Sequence, residues 1–312
     1  MTRTFDKVKF ARYSCLFIAA LLWGFSFVVQ AVDEISPFTF TAVRSFIGTA
    51  VLVPVVFIFR VIRKKKGTLP PPEEKKAENK ALLIGGTLCG VVLTIAANLQ
   101  QIGLSMNLEA GKAGFITAMY IVLVPIIGLF LGKKSGVLIW VSVALAVVGL
   151  YFICVTDSFT INTGDLCLIG CAVAYAGHIT VVDKFAAKTD GVALSAMQFL
   201  VCGTISALIA LIFERSDFSM PTILSYYLSF LYMGICSCGI AYTLQIIGQK
   251  NTNPAAASII MSFESCFSVL GGFLLLGERL SSREWIGIAL MFVAILLTES
   301  KELFTKTPLP EK

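Results

Sequence analysis

The chain carries little charge for its length. Of its 312 residues only 14% are charged and 57% are hydrophobic, whereas about a quarter of the residues of an ordinary soluble domain are charged. This deficit excludes a soluble globular protein and predicts a membrane protein. Because ten spans of ~20 residues would use about two thirds of the chain, no separate soluble domain is expected.

The sequence also lacks the residue patterns that most catalytic and metal sites require. His178 is the only histidine, and Cys236-x-Cys238 has no second cysteine pair, so no metal and no cofactor is expected. A membrane-embedded enzyme is disfavoured because no paired carboxylates are present, and no catalytic residue is predicted. No phosphate-binding loop occurs, so ATP is not expected to drive the protein. A receptor or sensor is disfavoured because no signalling domain is present.

The net charge of +6 is distributed along the membrane edges and is not concentrated on one soluble face, which argues against a nucleic-acid partner. Basic residues flank alternate loops, which are therefore predicted to be cytoplasmic: Arg3, Lys7, Lys9, Arg12, the stretch 60–80, Lys133, Lys134, Lys184, Lys188 and Lys250. Acidic residues mark the opposite loops: Asp33, Glu34, Glu109, Asp157, Glu214 and Asp217. Both termini, with tails 1–11 and 300–312, are predicted to be cytoplasmic.

An internal repeat divides the chain into two similar halves. Leu99-Gln100-x-x-Gly103 recurs 145 residues later as Leu244-Gln245-x-x-Gly248, and Trp140 meets Trp285 at the same separation. Each half contains five apolar segments, and an odd number of spans turns the second half upside down in the membrane. This inverted repeat is typical of secondary transporters.

The repeats are predicted at 12–155 and 165–299. The expected spans are 12–32, 37–61, 80–104, 110–131 and 136–155, then 165–186, 190–213, 221–249, 254–277 and 283–299. Prolines begin several of them, and Asp165 and Asn253 are predicted helix caps. The segment Arg63 to Lys80, which contains three consecutive prolines, is predicted to be a flexible linker.

Several short motifs resemble those of a known family. They are Leu22-Trp23-Gly24-Phe25-Ser26-Phe27, Ala42-x-Arg44-x-Phe46, Pro254-Ala255-Ala256-Ala257-Ser258, Leu276-Gly277-Glu278-Arg279-Leu280 and Trp285-x-Gly287. Over its whole length the chain resembles the EamA family of the drug/metabolite transporter superfamily. This resemblance implies an all-α membrane protein of ten transmembrane helices in two inverted five-helix EamA repeats. It also implies transport, often export, of amino acids or other small metabolites.

Polar side chains at membrane depth are the candidates for substrate binding, because each is costly there unless partnered or hydrated. We predict that eight residues line a cavity between the halves: Trp23, Asn98, Gln101, Tyr175, His178, Tyr242, Gln245 and Glu264. Glu264 and His178 are also candidates for proton coupling. Packing between helices explains the same residues, so both interpretations stay open.

Arg44 lies about a turn and a half inside the second span. Its guanidinium could clamp a carboxylate or extend outward toward Asp33 and Glu34. Small residues open the fourth and ninth spans, including Gly114 and Ala255, and could form a seam that moves during transport.

The sequence therefore predicts a multi-pass secondary transporter of the bacterial cytoplasmic membrane, working by alternating access on an ion gradient or the substrate's own gradient. The expected partners are a small-molecule substrate, the lipid bilayer and protons, with a monomer or a homodimer as the assembly. An amino acid or related compound is the favoured substrate, with export the favoured direction. Import of a vitamin or nucleoside-type metabolite by the same fold is the alternative.

Overall fold

A computed structural model describes residues 7–30, 35–68, 70–106, 110–133, 135–155, 162–276 and 281–303. The helices are α1 Lys7–Gln30, α2 Pro37–Lys65, α3 Pro72–Ser105, α4 Ala110–Ala118, α5 Tyr120–Phe130, α6 Val137–Cys154, α7 Thr163–Ala186, α8 Gly191–Phe213, α9 Met220–Ser225, α10 Tyr227–Leu231, α11 Tyr242–Gln249, α12 Pro254–Met261, α13 Glu264–Gly271 and α14 Ser282–Leu303. Two π-helical segments, Tyr232–Ala241 and Gly272–Leu276, complete them. Predicted loop residues outside the described ranges are Arg3, Asp33, Glu34, Glu109, Lys134 and Asp157, and the turn 277–280 is outside them too.

The described part of the chain is helical and contains no strand, which confirms the all-helical architecture. Nine helical segments in these ranges, 18 to 34 residues long, are apolar enough to cross a membrane. The fourth of them joins α4 to α5, the eighth runs from α10 to α11, and the ninth joins α12 to α13. The predicted tenth span corresponds to α14, which packs along α6.

The helices pair across the two halves of the chain rather than within them. The second span, α2, packs most extensively on its repeat counterpart α8, and the fifth, α6, packs on its counterpart α14. Likewise α3 packs on α7. The first helix, α1, packs on α13, on α11 and on the π-helical segment Tyr232–Ala241. Each of these pairs therefore joins a span of the first predicted repeat to a span of the second.

Two glycines allow α6 and α14 to touch through their backbones. A Cβ atom on Gly149 would lie 2.9 Å from the carbonyl oxygen of Gly287, and one on Gly287 would lie 2.6 Å from that of Gly149. Both distances are too short for any larger residue without a shift of the helices. The close approach provides the packing that holds helices together in lipid.

The α2/α8 pair is tied at both ends. At one end, Glu214 accepts hydrogen bonds from the backbone nitrogens of Phe38 (3.1 Å) and Thr39 (2.7 Å) and from the Thr39 hydroxyl (2.9 Å), so it caps α2 from another segment. At the other end, Arg63 Nη2 lies 2.8 Å from Asp190 Oδ2. The other Asp190 oxygen caps α8 through the backbone nitrogens of its first turn.

The structure corrects two local predictions. Most of the predicted linker is helical, because α2 extends to Lys65 and α3 begins at Pro72. Proline at the first position and two glutamates in the first turn of α3 favour a helix start there. The N-cap of α7 is Asn162 and not Asp165. Asp165 lies inside the first turn, where its carboxylate accepts a hydrogen bond from the backbone nitrogen of Asn162, while the Asn162 side chain accepts one from the backbone nitrogen of Asp165.

Candidate functional site

A cavity lies between the two repeats. Its volume is about 50 Å³, which leaves room for a few water-sized groups. The first repeat contributes Trp23, Ser26, Phe27, Gln30, Arg44, Gln100, Thr117 and Tyr120. The second contributes Tyr175, Ile179, Ser237, Tyr242, Gln245, Met261 and Glu264.

Two of the spans around this cavity are interrupted, and they are repeat counterparts. The fourth span breaks at Met119 and the ninth at Ser262 and Phe263, where ψ rises to between −11° and −8°. Hydrogen bonds there skip back three residues, from Met119 to Ile116 and from Phe263 to Ile260, each 3.2 Å long. Such 3₁₀ stretches inside a helix often mark hinges, and interrupted helices form the sites of many transporters.

A hydrogen bond joins the two interrupted spans across the cavity. The Tyr120 hydroxyl donates to Glu264 Oε1 at 3.1 Å. Tyr120 is the first residue of α5 and Glu264 is the first residue of α13. The bond therefore links the residues that immediately follow the two breaks.

Aromatic rings form much of the cavity wall. Trp23 meets Tyr242 edge to face with ring centroids 4.7 Å apart, and Tyr120 meets Tyr175 in the same manner at 6.5 Å. Two of the tyrosine hydroxyl groups form a chain of hydrogen bonds: Tyr242 donates to the Tyr175 oxygen (3.5 Å), and Tyr175 donates to Gln100 Oε1 (3.1 Å). These contacts fix the rings, so the wall presents rigid aromatic faces.

Arg44 brings a guanidinium group to the cavity and Glu264 brings a carboxyl group, and neither group pairs with a charged residue among those described. Arg44 is only 7% exposed, and its guanidinium lies 5.3 Å from the centre of the Phe40 ring. Among the described residues it has no hydrogen bond or ion pair. Glu264 is 8% exposed, and within the same ranges Tyr120 is its one hydrogen-bond partner. Burying a polar or charged group without a full set of partners is costly, so both groups are available to a ligand.

Four neutral polar atoms of the lining also have no hydrogen-bond partner among the described residues. They are the indole Nε1 of Trp23, the hydroxyl oxygen of Thr117 and the amide oxygens of Gln30 and Gln245. The indole nitrogen is a donor, the two amide oxygens are acceptors, and the hydroxyl group can be either. Because buried polar atoms normally find partners, these positions indicate where a polar ligand or water would bind.

The structure brings six of the predicted site residues to the cavity: Trp23, Arg44, Tyr175, Tyr242, Gln245 and Glu264. The other three lie outside the lining. Asn98 joins α3 to α8 by donating to Ser206 Oγ at 2.9 Å, and Gln101 is buried elsewhere on α3. His178 is fully buried, with Nε2 3.0 Å from Gln198 Oε1. Its ring meets the Tyr242 ring edge to face, with the ring centroids 6.0 Å apart.

Several lining residues were not predicted. Tyr120 is the most informative of them, and nothing in its sequence surroundings distinguishes it from a packed aromatic residue. Gln100 could have been predicted from the repeat, because it is the counterpart of Gln245, which was predicted to line the cavity. Both residues line it. No cluster of three or more potential metal ligands occurs in the described ranges, and all nine cysteines are free thiols.

Comparison with known proteins agrees with this architecture. An uncharacterized transporter from Archaeoglobus fulgidus is 28% identical over 90% of this chain and 83% of its own length. The uncharacterized transporter YwfM from Bacillus subtilis is 27% identical (93% and 94%), and the uncharacterized inner membrane transporter YedA from Escherichia coli is 24% identical (95% and 93%).

A solved crystal structure, described only as that of a protein, shares the fold with a TM-score of 0.73 at 20% identity, covering 94% of this chain and 99% of the other. Residues 12–155 and 162–300 each match one unit of the EamA-like transporter family. These matches cover nearly all of both repeats, and the relatives are transporters by name. The chain belongs to the EamA-like transporter family.

Proposed function

We propose that the protein moves a small zwitterionic metabolite, an amino acid or a related compound, across the cytoplasmic membrane by alternating access. One observation carries this proposal: the cavity holds a cation at Arg44 and a carboxyl group at Glu264, each without a charged partner among the described residues. A guanidinium can bind a carboxylate through two parallel hydrogen bonds. Glu264 can accept hydrogen bonds from an ammonium group.

The remaining features of the site fit the same ligand class. The rigid rings of Trp23, Tyr120, Tyr175 and Tyr242 offer apolar surface for a side chain. Gln245 and Trp23 add an acceptor and a donor for further polar groups.

For the topology we propose ten spans, with α14 as the tenth and both termini in the cytoplasm. Loops rich in basic residues contact each other at one end, through the Arg63–Asp190 and Lys133–Asp183 ion pairs. The acidic loop that holds Glu214 contacts the start of α2 at the other end. Lys and Arg accumulate on cytoplasmic loops, so the end with the basic loops and both termini is placed in the cytoplasm.

For the direction of transport we propose export, driven by proton exchange at Glu264.

Counterflow in liposomes tests this function. Vesicles that contain the protein and excess unlabelled L-phenylalanine should accumulate labelled L-phenylalanine from outside, whereas protein-free vesicles should not. Arg44→Gln should raise the half-saturating concentration at least about tenfold, because a charge-assisted clamp is lost. Arg60→Gln is the matched control on the same helix, since Arg60 is exposed. Absence of counterflow for every amino acid in a standard panel would refute the proposal.

A nucleoside or vitamin-type substrate is the second candidate. The observation in its favour is the combination of flat aromatic walls with unpartnered amide oxygens at Gln30 and Gln245, which would suit a heterocycle that stacks and donates hydrogen bonds. Counterflow of a labelled nucleoside, in the same vesicles and insensitive to Arg44→Gln, would favour it over the amino acid.

A further inference from the structure

Glu264 has one oxygen bound and one oxygen open. Tyr120 donates its hydroxyl proton to Oε1, whereas Oε2 receives no hydrogen bond from any residue in the described ranges. A carboxylate has about four acceptor positions on its two oxygens. The bond from Tyr120 therefore occupies one acceptor position on Oε1, restricts the orientation of the group and leaves Oε2 for a ligand.

We propose that Tyr120 is a positioning residue for the cationic end of the substrate: its hydroxyl orients the Glu264 carboxyl group so that the second oxygen receives the ligand's ammonium group. The proposal rests on the proposed function and goes beyond it, because it assigns the selectivity for an amine to a residue of the opposite repeat. Tyr120 does this through Glu264 and without a charge of its own.

The location of the two residues strengthens this assignment. Glu264 follows the break in the ninth span, where the backbone has left α-helical hydrogen bonding, so its side chain is not fixed by a continuous helix. Tyr120 follows the corresponding break in the fourth span, and its ring is held by the edge-to-face contact with Tyr175. A ring fixed in this manner can impose an orientation on a carboxyl group that its own helix leaves free.

Ligand selectivity provides the test. Thermal stabilisation of the purified full-length protein gives half-saturating concentrations for L-phenylalanine and for 3-phenylpropionate, which lacks the ammonium group. Tyr120→Phe keeps the ring and removes the hydroxyl. It should raise the value for L-phenylalanine by roughly tenfold, the usual effect of losing a hydrogen bond to a charged group. The value for 3-phenylpropionate should change by less than about twofold.

Two further variants separate positioning from a general structural effect. Tyr175→Phe is the matched control, because Tyr175 donates to Gln100 and not to an acid; it should affect both ligands alike. Glu264→Gln should lose the preference for the amine, and adding Tyr120→Phe to it should cause no further change, since Tyr120 acts through Glu264. This non-additivity can be measured with L-phenylalanine alone.

The outcomes distinguish the two proposals. If the parent protein does not bind L-phenylalanine or any other amino acid, the proposed function fails and the role of Tyr120 fails with it. If the parent binds but Tyr120→Phe weakens both ligands equally, or its effect adds fully to that of Glu264→Gln, only the role of Tyr120 is overturned.

Discussion

Replacing Glu214 by alanine should destabilise the protein at the start of α2, although Glu214 is not part of that helix. Its carboxylate accepts two backbone hydrogen bonds and one from the Thr39 hydroxyl. Loss of a cap side chain costs about 0.5 to 2 kcal/mol, and this one also satisfies two otherwise unpaired backbone donors. We therefore expect the free energy of unfolding to fall by about 2 kcal/mol.

Two further variants separate the contribution of the Glu214 side chain to stability from that of its surroundings. Glu214→Gln keeps one acceptor oxygen and should lose about half as much. Arg215→Ala, at the exposed neighbouring residue, should change the free energy of unfolding by less than about 0.5 kcal/mol. Reversible unfolding in mixed micelles, followed by tryptophan fluorescence, measures all three. A Glu214→Ala protein as stable as Arg215→Ala would refute the capping role of Glu214.

Three other predictions concern the packing around the site. Gly287→Ala should separate α6 from α14 and cost about 1 to 3 kcal/mol in the same unfolding assay, whereas Gly114→Ala, where a Cβ meets nothing within 4 Å, should cost less than about 0.5 kcal/mol. Asp190→Ala should destabilise the protein by about 1 kcal/mol more than Arg63→Ala, because it also removes the cap of α8; equal losses would contradict this. Asn98→Leu should lower stability and leave the half-saturating concentration in counterflow unchanged; a raised value would move Asn98 into the site.

Much of the fold follows from local patterns in the sequence. Apolar segments of membrane length predict the helices, and Pro37 and Pro254 begin helices where predicted. Asn253 caps α12 through the backbone nitrogen of Ala255 at 2.9 Å, as expected. These features depend on residues close in the chain, so one sequence contains the information for them.

The breaks in the fourth and ninth spans could not be predicted in this manner. Met119, Ser262 and Phe263 occupy them, and none is a proline or glycine that would announce a break. Both breaks adjoin residues that bond to each other across the cavity, Tyr120 and Glu264, which lie 144 residues apart in the chain. The hydropathy pattern of one span does not indicate which residues of other spans will contact it.

The sequence also did not predict the rotation of α3 about its axis, which decides which of its side chains face the cavity. Asn98 and Gln101 share one helical face, and we predicted that this face lines the cavity. In the structure Asn98 turns toward α8, and Gln100, between them, faces the cavity instead. In an apolar helix with amides on two sides, contacts with α7 and α8 decide which amide meets the ligand.

The pairing of helices across the halves also sets the order in which the protein can assemble during synthesis. Glu214 reaches the start of α2 from 176 residues farther along the chain, and α6 finds its main partner in α14, the last helix of the described ranges. The first five spans therefore enter the bilayer before most of the surfaces that they will pack against exist. Until then their polar side chains, Arg44 among them, face lipid, water or the insertion machinery, so the cavity forms only when the final helices arrive.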